Sequence, residues 1–189
     1  AREALEIAAG RPVSFEVVVD DFQEMARQAE EIASWGPNAY VKIPVTDTRG
    51  NSSVPLLRDL TAAGVRLNVT AVFTAAQAAA VLDAVEVGPG SVVLSLFAGR
   101  IADAGHDPVA IAAECKTLID ERCWRVQLLW ASPRQVYDAV VAERAGCDII
   151  TMTPDLIAKL PLLGKDLEEY SRETVAMFYR DAQAAGYEV

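Results

Sequence analysis

The stretch AYVKIPVT, residues 39–46, sets one lysine inside an otherwise apolar run of strand-forming residues. Successive side chains alternate faces along a strand, so Val41 and Ile43 share one face and Lys42 takes the other. Desolvating an ammonium there costs on the order of several kcal/mol unless it reaches water or a partner. A strand-end lysine can snorkel its head into solvent. A lysine held in an apolar pocket loses its proton more readily and can attack a carbonyl carbon as a free amine.

The neighbouring apolar runs repeat this parity. In PVSFEVVV, residues 12–19, Val13, Phe15 and Val17 oppose Ser14 and Glu16. In VRLNVTAVF, Leu67, Val69 and Ala71 oppose Asn68 and Thr70; in SVVLSLFAG, Val92, Leu94 and Leu96 oppose Val93, Ser95 and Phe97. Each run keeps its polar side chains on one face. Glu16, Lys42, Asn68 and Ser95 follow one another at intervals of 26, 26 and 27 residues. Equivalent points in successive units bring them to similar height on adjacent strands, where a ring of polar residues marks the chemistry of a barrel. The opposite faces stay apolar because helices cover them.

Two further strand runs, WRVQLLWAS and CDIITMT, complete a set of six. Between the strands lie helical patterns: DDFQEMARQAEEIASW, SVPLLRDLTAAG, TAAQAAAVLDAVEVG, DPVAIAAECKTLIDER, SPRQVYDAVVAERAG and TPDLIAKL, with DLEEYSRETVAMFYRDAQAAG last. Asp20 or Asp21 can cap the first, Pro108 fits the first turn of the fourth, and Gly64 and Gly146 can end theirs. Strands alternating with helices of this length predict right-handed βαβ units and a parallel sheet. No GxGxxG follows the first strand, which disfavours an open dinucleotide-binding sheet.

The predicted fold is therefore a (β/α)8 TIM barrel. A barrel of this kind needs eight strands over at least about 200 residues. Six are legible, and AREALEIAAG at the start reads as the tail of a helix. The expectation is that two N-terminal units, about 50 residues, are missing, so that residues 1–189 form a single, N-terminally incomplete barrel domain.

Composition narrows the function. At 52% hydrophobic, the 189 residues can bury one sizeable core. A net charge of −10 with no basic stripe argues against nucleic acid. No run of eighteen apolar residues and no signal-peptide pattern is present, so no membrane partner is expected. Three cysteines (Cys115, Cys123, Cys147) without CxxC spacing and a lone His106 predict a reduced, cytoplasmic protein with no Cys/His metal site. His106 reads as a loop residue, Trp130 as outward-facing, DLEEYSRE (166–173) as a solvated helix face and PLLGKD (161–166) as a linker.

The motifs SFE at 14–16, VKIP at 41–44, LNVTAVF at 67–73, FAGRI at 97–101 and ASPR at 131–134 run in order along the chain. Together they resemble the transaldolase family of Schiff-base aldolases, which includes the fructose-6-phosphate aldolases. The resemblance implies an eight-stranded barrel, carbohydrate metabolism of the pentose phosphate kind, phosphorylated sugar substrates and no cofactor. It implies that Lys42 forms the Schiff base, that Glu16 moves protons beside it, and that Thr70 holds the catalytic water. Asn68 and Ser95 then contact substrate hydroxyls, while Arg100, Arg134 and the Ser132 hydroxyl clamp the phosphate. A further family aspartate, at the end of the first barrel strand, has no counterpart in this chain. Phe97 stands where the aldolases carry tyrosine, which favours a transferase moving a dihydroxyacetone unit over a lyase releasing it. A non-catalytic sugar-phosphate-binding barrel is the third alternative. The amphipathic C-terminal helix offers a surface for a homo-oligomer.

Overall fold

The run around Lys42 forms strand β2 (Ala39–Pro44), one of six strands in the computed structural model, which describes residues 1–85, 89–122 and 125–186. The others are β1 (Val13–Glu16), β3 (Leu67–Val72), β4 (Val92–Leu96), β5 (Val126–Trp130) and β6 (Ile149–Ile150). Helix α1 (Arg2–Ile7) precedes them. The intervening helices are α2 (Phe22–Ala33), α3 (Val54–Ala62), α4 (Ala75–Val85), α5 (Ala98–Asp103), α6 (Pro108–Arg122) and α7 (Asp138–Arg144). Cys123, Trp124 and residues 86–88, the predicted tail of α4, lie outside the described residues.

All strands are parallel and lie in chain order, β1 to β6. A doubly wound sheet would reverse direction part-way; this one adds each strand beside the last. Laid flat, six strands at about 4.8 Å spacing would separate the outer two by roughly 24 Å. One cavity nevertheless touches Ser14 on β1 and Thr151 just past β6. The sheet is therefore curled into a half-barrel, with a concave inner face and a convex outer one.

The outer face carries the main core. Val41, Ile43, Leu67, Val69, Leu94, Leu96 and Leu128 are fully buried there with Met25, Leu57, Leu82 and Ile119 of the covering helices. Trp130 packs in the same core, as its parity predicts. The inner face holds a smaller apolar cluster of Tyr40, Val93, Leu129 and Ala131, with Phe97 and Ile149 packed against it.

Local signals end the helices as predicted. Asp21 caps α2, its Oδ1 accepting from the N–H groups of Gln23 and Glu24 at 3.0 Å. Asp20 instead accepts from the Thr48 N–H and hydroxyl, at 2.7 and 2.6 Å, tying the loop after β1 to the loop after β2. Gly64 and Gly146, at φ +81° and +79°, close α3 and α7 in the left-handed conformation that glycine favours.

Some bounds differ from the prediction. β1 is shorter because the Val18 N–H turns to Gln28 Oε1 at 2.9 Å. The helix predicted from Ser132 starts six residues later, since Asp138 Oδ2 takes the N–H groups of Arg134 and Gln135 first. Helix α5 was not predicted; six residues are too few to show a helical period.

Residues Thr153–Val189 form a second compact unit. It contains α8 (Pro154–Ile157), a 3-10 turn at Leu160–Leu162 and α9 (Leu167–Ala185), which Asp166 caps and Gly186 ends. Residues 166–173 are solvent-exposed. No described helix is long and apolar enough to cross a membrane.

The loop after β2 closes on the buried Asp47, whose carboxylate accepts from the Asn51 amide at 2.7 Å and from the N–H groups of Asn51 and Arg49. These hydrogen bonds, the Asn51 side chain foremost, hold its carboxyl below the usual carboxylate range. A depressed folded-state value stabilises the fold fully above the unfolded value of about 3.9, and the contribution is lost as pH falls through the folded value. Asp47→Asn is expected to flatten the acid limb of stability against pH, read by urea denaturation between pH about 5 and 2.

Candidate active site

Glu16 closes β1 and Lys42 lies on β2 as its Cα partner in the parallel ladder. Their side chains meet directly, Lys42 Nζ to Glu16 Oε2 at 3.0 Å. The lysine side chain is 29% exposed and the glutamate 50%, so the amine is drawn onto the inner face while the acid reaches it from the sheet edge.

Lys42 in turn partners Asn68 on β3. Asn68 is 6% exposed, and both ends of its amide are engaged. Its Nδ2 donates to Ser14 Oγ at 3.0 Å, and Ser95 Oγ donates to its Oδ1 at 2.7 Å. This chain of bonds links β1, β3 and β4 across the concave face. Ser95 departs from the expected level ring: the Cα partner of Asn68 is Val93, and Ser95 lies two residues further on. The β3–β4 register shifts between Val69 and Val72, where Ala71 adopts φ +58°. A bulge re-aims the side chains beside it. The Thr70 hydroxyl just before the bulge is buried and has no hydrogen-bond partner among the described residues.

These groups open into a cavity of about 760 Å³. Lys42, Asn68, Thr70, Ser95, Phe97 and Ser132 line it, with Ser14, Tyr40 and Thr151. No Asp or Glu is among its described lining residues, in a chain with 27 of them. Against an apolar background that includes Val13, Val93, Leu129 and Ile149, the wall offers hydroxyls, one amide and one amine, a set able to orient a polyhydroxylated ligand.

Beside the cavity, the start of α5 meets the loop after β5 at Gly99. Its N–H donates to Ala131 O at 3.3 Å, and a Cβ there would stand 1.6 Å from Ser132 O and 3.4 Å from Arg134 Nε. Only glycine permits this approach. Ser132 itself is held at φ +63°, a conformation costing about 1–2 kcal/mol for a side-chain-bearing residue. Arg100 follows Gly99, its guanidinium 5.6 Å from the centre of the Phe97 ring, which packs on Phe73 at 5.7 Å. Arg134 donates from Nε to Asp103 Oδ2 at 2.9 Å and from Nη2 to the same oxygen. Neither arginine is among the described residues that line the cavity; each lies next to one that is, Arg100 over Phe97 and Arg134 two residues past Ser132.

Of the residues singled out from sequence, Lys42, Asn68, Thr70, Ser95, Phe97 and Ser132 share one cavity, and Glu16 touches it through Lys42. Ser14, Tyr40, Thr151 and Asp103 were missed. Ser14 had a readable signal, since it shares the polar parity of Glu16. Asp103 had none, because its place depends on the unpredicted α5. Among the described residues, no group of three or more His, Cys, Asp or Glu is arranged to hold a metal ion.

The entire chain, residues 1–189, matches the family described as transaldolase/fructose-6-phosphate aldolase. The chain belongs to this family. It is 35% identical over 172 residues to a probable transaldolase of Chelativorans sp., covering 89% of this chain and 75% of that protein. It is 31% identical over 169 residues to a probable transaldolase of Carboxydothermus hydrogenoformans, covering 88% and 75%. To the probable transaldolase 2 of Listeria monocytogenes it is 31% identical over 173 residues, covering 90% and 75%. The protein is a transaldolase-like enzyme.

Within this transaldolase-family site, Asn68 is the joint that locks three strands. Asn68→Asp removes the donor to Ser14 and places a charge on a buried face. We expect a loss of about 1–3 kcal/mol in urea denaturation, more than Ser14→Ala, which deletes a single exposed partner.

Proposed function

We propose that the enzyme transfers a dihydroxyacetone unit from a ketose phosphate to an aldose phosphate through a Schiff base on Lys42. The observation that carries this reading is the Lys42 amine, 3.0 Å from the Glu16 carboxylate and lining a cavity that several hydroxyls also line, in a member of this family.

In this reading the unprotonated Nζ attacks the ketose carbonyl, forming the N–C bond of a carbinolamine as the carbonyl oxygen takes a proton. Loss of that oxygen as water leaves an iminium, with Glu16 close enough to pass the protons these steps require. The iminium then accepts the electron pair of the breaking C–C bond. The aldehyde fragment departs, its hydroxyl proton going to a base, and an enamine of the three-carbon unit stays on Lys42. Attack of the enamine on the acceptor aldehyde forms the new C–C bond and restores an iminium, which water hydrolyses to free the product. The Thr70 hydroxyl, buried and without a hydrogen-bond partner among the described residues, is suited to hold that water. Asn68 and Ser95 are suited to the sugar hydroxyls, and Ser132 with Arg100 and Arg134 to the phosphate, because guanidinium forks match its oxygens. Phe97 contributes an apolar wall without a hydroxyl, which favours retention of the enamine for an acceptor over hydrolytic release.

Incubation with fructose 6-phosphate followed by borohydride is expected to attach a reduced three-carbon adduct to the peptide containing Lys42. Lys42→Arg should take no label, and Glu16→Gln should slow turnover on the order of 10²–10⁴-fold. Absence of label from wild-type Lys42, or label on another lysine, would overturn the reading. Product formation that requires an added aldose phosphate supports transfer; free dihydroxyacetone released without one points to the lyase instead.

A further inference from the structure

The two mouth arginines are in different electrostatic states. Arg100 stacks on an aromatic ring and has no carboxylate partner among the described residues, whereas Arg134 is engaged by Asp103 through two N–H groups on one oxygen. The second carboxylate beside Arg134, that of Asp138 at the start of α7, is buried and occupied by the backbone N–H groups of Arg134 and Gln135. Asp103 is the one that contacts the guanidinium.

Arg134 does not itself line the cavity and is connected to it through its neighbours. Arg134 Nε would lie 3.4 Å from a Cβ on Gly99, Gly99 is packed on the carbonyl of Ser132, and Ser132 lines the cavity. The pair is also about half exposed on both sides, 48% for Arg134 and 53% for Asp103. Water and salt screen such a pair, so its hold is weak and another anion can replace it. A phosphate dianion brings twice the charge of the aspartate and more acceptor oxygens.

We propose that Asp103 is a specificity-determining residue: a built-in counter-anion that occupies Arg134 in the free enzyme and competes with the phosphate of the substrate for it. The proposal rests on the reading that this mouth receives the substrate phosphate, and it names the residue that sets how tightly. When phosphate enters, the Arg134 fork exchanges one carboxylate oxygen for phosphate oxygens. When product leaves, Asp103 closes back on the fork, which keeps the anion from being held too tightly for turnover.

Asn at position 103 keeps an acceptor oxygen for the Arg134 N–H groups and removes only the charge. Titration calorimetry with inorganic phosphate is expected to show Asp103→Asn binding about three- to tenfold tighter than wild type. The gain should disappear in the double variant with Arg134→Gln, and the KM for fructose 6-phosphate should fall by a similar factor. Equal or weaker phosphate binding in Asp103→Asn overturns the proposal, as does a gain that survives loss of the guanidinium. Asp103→Ala, measured alongside with urea denaturation of both variants, separates an altered fold from an altered charge. Borohydride trapping on Lys42 distinguishes the two failures. Label with unchanged phosphate affinity removes only the role of Asp103, whereas wild-type protein that takes no label removes the reading beneath it.

Discussion

The parallel ladder that sets Glu16 beside Lys42, and Lys42 beside Asn68, is the constraint on which the site depends. Side chains alternate strictly along a strand, so this register fixes at once which residues face the cavity and which face the helices. A slip of one residue in β2 would exchange Lys42 with Val41 or Ile43, both fully buried in the outer core. Such a slip would bury an ammonium among leucines and valines and empty the site of its amine. The outer core thus enforces the inner chemistry: the burial of Val41, Ile43, Leu67 and Val69 holds Lys42 and Asn68 to the concave side.

The wall and the mouth of the cavity are built on different principles. The wall is rigid, because Asn68 uses both ends of its amide to bridge Ser14 and Ser95, a buried network with each amide end engaged. The mouth is shaped by backbone rather than by side chains. Gly99 lets the start of α5 touch the loop after β5, and Ser132 accepts a left-handed conformation to meet it. Strained backbone of this kind persists where the surroundings over-determine it. Its effect here is to pack the start of α5, which carries Arg100, against the loop that carries Arg134; one arginine is cushioned on an aromatic ring and the other held by a half-exposed carboxylate.

The sequence carried much of this on its face. Parity assigned Ser14, Glu16, Lys42, Asn68, Thr70 and Ser95 to the inner side, and the interval of 26 residues marked Glu16, Lys42 and Asn68 as the ladder neighbours they are. Both are local and periodic, and period 2 in a strand survives folding unchanged. The third interval, 27 residues, concealed a register shift: Ser95 stands two residues past the partner of Asn68. A bulge is a property of two strands together and leaves no mark in either alone. Likewise the choice between Asp20 and Asp21 as the cap of α2 waited on Thr48, whose claim on Asp20 comes from a loop 28 residues away.

By itself, then, the sequence determined the alternation of strands and helices, the face each strand shows inward and the family to which the motifs point, because these rest on spacing along one chain. Only the tertiary structure decided that Lys42 ends on a carboxylate rather than in water, that Asn68 bridges Ser14 and Ser95, and that Arg134 is occupied by Asp103 while Arg100 rests on Phe97. Each of those outcomes is a contact of a few ångströms between residues of different units. Such contacts are set by how the sheet curls and where a glycine lets two loops meet, neither of which any single stretch of sequence encodes.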